Sequence, residues 1–197
     1  MVNKIIYLTG APAAGKSTLA STLALNHADV EVFEYGARMS DWLSRSASVR
    51  GPVDQEELRG GTSPYVRLED IRGVNALMRA WVDERSQHAH LLIDSHQVTF
   101  EEFGLIYVPF QDDELWSLPI DEVWVMDVEP HLAIERIERN PKGRPLPSEH
   151  LARLHSSSQL AVATAYGAMK GVPVVMFDGS RDEDWIADIA AKRLGLP

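Results

Sequence analysis

The stretch Gly10-Ala11-Pro12-Ala13-Ala14-Gly15-Lys16-Ser17-Thr18 constrains the fold more than any other part of the chain. It matches G-x-x-x-x-G-K-[ST] and lies between an apolar run, Ile5-Ile6-Tyr7-Leu8, and a helical pattern over 15–26. A strand before and a helix after is the setting that this motif requires. Glycines and small side chains let the backbone curl until successive N–H groups point inward at phosphate oxygens. The helix that follows adds the positive end of its dipole. Lys16 has the reach for β- and γ-phosphates, and the Ser17 hydroxyl suits a Mg²⁺ ion. Gly10, Ala13, Ala14, Gly15, Lys16, Ser17 and Thr18 form the expected triphosphate-binding set.

The rest of the chain alternates in the same way. Apolar runs at Val30–Phe33, Leu91–Ile93, Val123–Met126 and Val172–Phe177 read as strands buried on both faces. Helical patterns cover 36–46, 67–88, 130–139, 148–170 and 182–194. Such alternation indicates an α/β fold with a parallel sheet and right-handed crossovers. Two segments interrupt it. Residues 47–66 hold Gly51-Pro52, Gly60-Gly61 and Ser63-Pro64 and read as a loop or a loosely helical excursion. Residues 140–147 contain three prolines, which excludes a helix there. Long irregular connections of this kind serve as binding segments or lids. With 197 residues and no internal repeat, a single domain spanning 1–197 is expected.

The formal net charge of −10 opposes binding to nucleic acid or anionic membranes, which need broad basic surface. A nucleotide needs only a few well-placed cations. The absence of Cys excludes disulfides, cysteine zinc sites and thiol nucleophiles. The first residues lack the apolar stretch of a signal peptide, and no run approaches the roughly 20 residues of a membrane span. A cytoplasmic location is the expectation.

Catalytic candidates follow from where strands end. Ligands in α/β sheets gather outside the carboxyl ends of the strands. Asp94 ends one strand and is placed to hold the metal or to orient an acceptor, unless it merely caps the next turn. His96 is two residues further on. Asp127 ends Val123–Met126 similarly, although Asp127 to Pro130 also resembles a helix start. Phosphoryl transfer spreads negative charge that arginine neutralises best. Arg136, Arg139 and Arg144 cluster around the proline-rich segment, with Arg139 and Arg144 as the catalytic candidates. Glu135 and Glu138 are alternative partners for these arginines. Arg50, Arg59, Arg67 and Arg72 belong to the other irregular segment and the helix after it, where one or two would clamp an acceptor's phosphate.

The phosphate loop, Phe33-Glu34-Tyr35-Gly36, Leu92-Ile93-Asp94-Ser95-His96, and Ala165-Tyr166 with Gly171 together resemble the archaeal type of adenylate kinase. That resemblance implies a five-stranded parallel sheet flanked by helices, an acceptor-binding segment at about 36–66 and a small lid at about 138–147. It also implies Mg-ATP as donor and a nucleoside monophosphate as acceptor. Tyr35 and Gly36 match the family's acceptor pocket, and Asp94 and His96 match its Asp-Thr-His stretch. The chain departs from the family at Gln159-Leu160, where an Arg is expected, at Gln55, and in a longer, acidic 100–118 insertion. The expected activity is ATP-dependent phosphotransfer of the nucleoside monophosphate kinase kind. The alternatives are a kinase for a small non-nucleotide hydroxyl and a regulatory nucleotide-binding ATPase. No guanine-reading Asn-Lys-x-Asp sequence is present.

Overall fold

In strand β1 (Ile5–Gly10), Ile5 and Tyr7 point to one face of a sheet while Ile6 and Leu8 point to the other, and all four are buried. A strand apolar on both faces belongs at a sheet centre with helices above and below. The structure, a computed structural model, describes residues 3–45, 55–61, 65–108 and 116–197. Among these, β2 (Val30–Glu34), β3 (His90–Asp94), β6 (Glu122–Asp127) and β7 (Val174–Asp178) join β1 in a five-stranded sheet of order β2-β3-β1-β6-β7. Every pairing in it is parallel.

One face carries α1 (Lys16–Asn26), α5 (Pro130–Arg139) and α7 (Glu183–Leu194), whose Leu19, Leu23, Ala133 and Ile186 pack on Ile6, Leu8 and Trp124. The other carries α2 (Tyr35–Arg45), α4 (Leu68–Arg85) and α6 (Glu149–Lys170), which bury Met39, Val74, Met78 and Tyr166 against Tyr7, Ile93 and Val125. Two apolar layers around one sheet supply the main driving force, and truncating a fully buried residue such as Trp124 costs about 3–5 kcal/mol. Among the described residues no helix is long and apolar enough to cross a membrane.

The five apolar runs and six helical patterns all became elements, with ends shifted by a few residues. Of the two irregular segments, the first takes up its helical alternative. Gln55–Gly60 is a short helix, α3. Its acids stand in the first turn and Arg59 in the last, as the helix dipole prefers, and Leu58 is buried. Arg50 and the Gly51-Pro52 and Ser63-Pro64 pairs lie outside the described residues. The insertion contains an antiparallel hairpin of β4 (Val98–Glu101) and β5 (Gly104–Tyr107). The segment after α5 is irregular, as its prolines dictate. Lys142 and Gly143 both have positive φ there, and a Cβ at Gly143 would lie 2.2 Å from the Glu56 carbonyl oxygen. The proline-rich segment therefore touches α3 at a point with no room for a side chain.

Candidate active site

The phosphate loop is made by its backbone. Gly10, Ala13 and Gly15 have φ of 146°, 60° and 105°. A Cβ at Gly10 would sit 2.2 Å from the Met126 carbonyl oxygen, so this position is closed to other residues on two counts. Ala13 accepts a left-handed conformation that costs an L-residue about 1–2 kcal/mol. Gly15 offers α1 no side-chain cap, and the helix has no acid in its first turn. Its N–H groups thus keep their preference for an outside anion. Lys16 Nζ donates to the carbonyls of Gly10 at 2.7 Å and Ala11 at 3.1 Å, curled over its own loop. Arg136 braces the loop from behind, donating to Ala13 O at 3.1 Å and Gly179 O at 2.8 Å.

Opposite the loop, Ser17 Oγ donates to Asp94 Oδ2 at 3.0 Å. Burial raises the Asp94 pKa, while Lys16, the Ser17 hydrogen bond and Arg59 oppose the rise. Burial lowers the Lys16 pKa; Asp94 opposes this, and Arg144 and Arg59 reinforce it. These linked shifts place α3 Arg59 and the post-α5 Arg144 in the same electrostatic neighbourhood as Lys16 and Asp94. Burial lowers the Arg144 pKa too, and Arg59 adds to that effect through like charge. Mutual repulsion among three cations around a concave site is what an incoming polyanion would relieve. Hard oxygens from Ser17 and Asp94 side by side suit Mg²⁺. Among the described residues there is no cluster of three or more His, Cys, Asp or Glu that could hold a metal ion.

His96 is exposed at the surface of this cleft, yet protein around it and the charges of Lys16, His155, Arg144 and Arg59 push its imidazolium below the usual range. Tyr35 donates from its hydroxyl to Asn75 Oδ1 at 2.9 Å, and Gly36 lies against the Gln55 side chain. Tyr35 and Gly36 begin α2, just past the carboxyl end of β2. Thr18 is exposed in the first turn of α1, and Ala14 is fully buried beneath the loop.

Arg139 and Arg67 are placed away from this cluster, and Asp127 borders it through Ser156, which lines the same cleft as Arg59 and Arg144. Arg139 is exposed and paired with Glu135 at 2.9 Å, one turn back on α5. The Asp127 carboxylate accepts from Ser156 Oγ, and its carbonyl accepts from Gly179 N at 2.6 Å. Arg67 pairs with Glu69 at the surface. Arg136, three residues before Arg139, is the arginine of α5 that reaches the loop. Helical phase distinguishes the two: Arg136 is near the buried Ala133 and Ile137, whereas Arg139 follows Glu138 on the outer side.

A family described as an AAA domain matches residues 9–153, well over half of the chain and all of the cluster described above. The chain belongs to this AAA domain family. No curated protein matches the AAA domain chain significantly. Among solved structures, an unliganded sugar kinase from Janibacter sp. HTCC2649 is similar at 16% identity and TM-score 0.57, covering 98% of this chain and 95% of its own. A protein from Chloroflexus aurantiacus j-10-fl, named a "putative kinase", is similar at 18% identity and TM-score 0.58, covering 98% and 97%. At such identities the likeness concerns fold, and the AAA domain here has a kinase-like phosphate-loop fold. The family found is this broader one, not specifically the archaeal adenylate kinases.

Proposed function

We propose that this protein transfers the γ-phosphoryl group of Mg-ATP to a small acceptor, and that the acceptor is a nucleoside monophosphate. One observation carries the reading: Arg59 from α3 and Arg144 from the segment after α5 line one cleft with Ala11 and Pro12 of the phosphate loop, although 85 residues separate them in the chain. Two arginines delivered from two coverings suit a site where donor and acceptor phosphates meet. The phosphate-loop amides and Lys16 would hold the β- and γ-phosphates, with Arg144 closing over the donor and Arg59 over the acceptor. Ser17 and Asp94 would hold Mg²⁺, which when bound draws charge from the β- and γ-phosphate oxygens. An acceptor phosphate oxygen attacks Pγ as the bond to the bridging oxygen breaks, and ADP leaves with both bonding electrons. Tyr35 and Gly36 would form part of the acceptor wall, and His96 would donate or accept a hydrogen bond as a neutral ring.

A second reading, a small hydroxyl-bearing acceptor, is favoured by α6. Where an acceptor-phosphate arginine would be expected, Gln159 is fully buried and Leu160 packs against the core. Asp94, with its raised pKa, would then take the hydroxyl proton. The resemblance of fold to a solved sugar kinase is compatible with this reading.

The test is ADP formation from Mg-ATP against panels of nucleoside monophosphates, nucleosides and sugars. Stimulation by a monophosphate supports the first reading, and stimulation by a neutral hydroxyl compound the second. Asp94→Asn should abolish hydroxyl phosphorylation while Mg-ATP still binds. If no acceptor raises ADP formation above the buffer rate, both readings fall.

A further inference from the structure

β1 and β3 run side by side as far as Leu8 opposite Asp94, and Ser95 N–H then donates to Leu8 O at 3.1 Å. Beyond that rung the two chains diverge, one into the phosphate loop and the other into Asp94–His96 and the hairpin. The side chain of Gln159, reaching up from α6 with no exposed surface, bridges the gap. Its Nε2 donates to Thr9 Oγ1 at 2.9 Å and to Gln97 Oε1 at 3.3 Å. Its Oε1 accepts from Val98 N–H at 3.1 Å. One turn earlier, buried His155 donates from Nε2 to Val98 O at 2.9 Å. Both peptide groups of Val98 are thus held by one face of α6. Its imidazolium is pushed down to about 4, chiefly by burial, so His155 stands neutral near pH 7 with its proton on Nε2.

We propose that Gln159 is a positioning residue, which fixes the distance between the phosphate loop and the Asp94–His96 segment by joining Thr9 to Gln97 and Val98. This rests on the phosphotransfer reading above. Two sequence neighbours and one contact make the connection short. Thr9 precedes Gly10, whose carbonyl holds Lys16; Gln97 follows His96; and Ser17 meets Asp94 across the same gap. A primary amide suits this place because it donates to one strand extension and accepts from the other simultaneously. A leucine of similar size would fill the space but leave Val98 N–H and the Thr9 hydroxyl without their partner. An arginine would bring an unpaired charge into the core.

The experiment is a double-mutant cycle between Thr9→Val and Gln159→Leu, read in kcat and in KM for ATP. Each single variant should lower kcat by roughly 10- to 100-fold, the scale of a misplaced reacting group, with KM for ATP moving less than about threefold. The double variant should be no worse than the worse single, since one bridge is cut in all three. Gln159→Met, which keeps an unbranched side chain of similar length and loses both amide groups, should behave as Gln159→Leu does and carries the cycle if Gln159→Leu fails to fold. Additive losses, or a lower melting temperature with unchanged kcat, would overturn the proposal. Amide hydrogen exchange supplies a readout without any acceptor. Mg-ADP should slow exchange at Val98 in the unaltered protein and not in Thr9→Val. Mg-ADP binding without protection at Val98 defeats the spacer alone, whereas failure to bind Mg-ADP defeats the phosphotransfer reading.

Discussion

At the phosphate loop the backbone makes the site, with positive φ at Gly10, Ala13 and Gly15 and little side-chain bulk. On the acceptor side, α3 delivers Arg59 from a helix of six residues with one buried apolar side chain, Leu58. The loop is braced by the sheet beneath it and by Arg136. By contrast, α3 depends on contacts with distant segments, with Gly143 against Glu56 and Gly61 beside the Glu101 carboxylate of the hairpin. A site written into local backbone conformation tolerates few residue types and moves little. A site assembled from remote contacts can shift, and a change in one segment reaches the segments packed against it.

Substitutions can break this contrast, and the largest effect belongs to the loop. Lys16→Ala should lower phosphotransfer by roughly 1,000-fold, the scale of losing a preorganised donor to developing charge, as measured by ADP formation. Gly10→Ala must push its Cβ against Met126 O and should cost about 3 kcal/mol in denaturant unfolding. A loss under about 1 kcal/mol would show the loop to be softer than its geometry implies. On the acceptor side, Arg59→Ala and Arg144→Ala should each reduce kcat/KM about 10- to 100-fold without changing the melting temperature. Arg59→Ala should act mainly through the acceptor KM and Arg144→Ala mainly through kcat. Equal effects on both parameters would dissolve the division between the two coverings.

Acid sharpens the comparison further. His155 has a folded-state pKa lowered from 6.5 to about 4, so the unfolded chain takes up the proton first as pH falls. Its contribution is present above pH 6.5 and is lost as pH drops towards about 4, on the order of 3 kcal/mol. His155→Gln should flatten the unfolding profile in that window. The smallest change is expected from Arg139→Ala, about twofold or less in kcat/KM, since an exposed ion pair on a helix contributes little. A larger loss would mean that α5 turns Arg139 inward when ATP binds.

The same contrast explains what could be read from the residues alone. Five strands were visible because each is apolar on both faces, and the phosphate loop because its chemistry restricts nine consecutive positions. The helix at Gln55–Gly60 was obscured by Gly60-Gly61 and by having only Leu58 to mark a buried face. The hairpin had a signal that went unused: Val98, Phe100, Leu105 and Tyr107 flank Glu102-Phe103-Gly104, the composition of two short strands around a turn. Sorting Arg136 from Arg139 needed helical phase beyond their shared position at the end of α5. Gln159 was noticed only as a departure. It reaches a partner 150 residues away and two others about 60 away, and no local pattern announces such a junction.

The meeting of Gly143 with the Glu56 carbonyl has a further consequence for anyone redesigning the molecule. Because the seam has no slack, a bulkier graft on either border wedges both segments at once, and under the proposed function substrate range becomes tied to grip on the donor. Widening one door therefore unlatches the other.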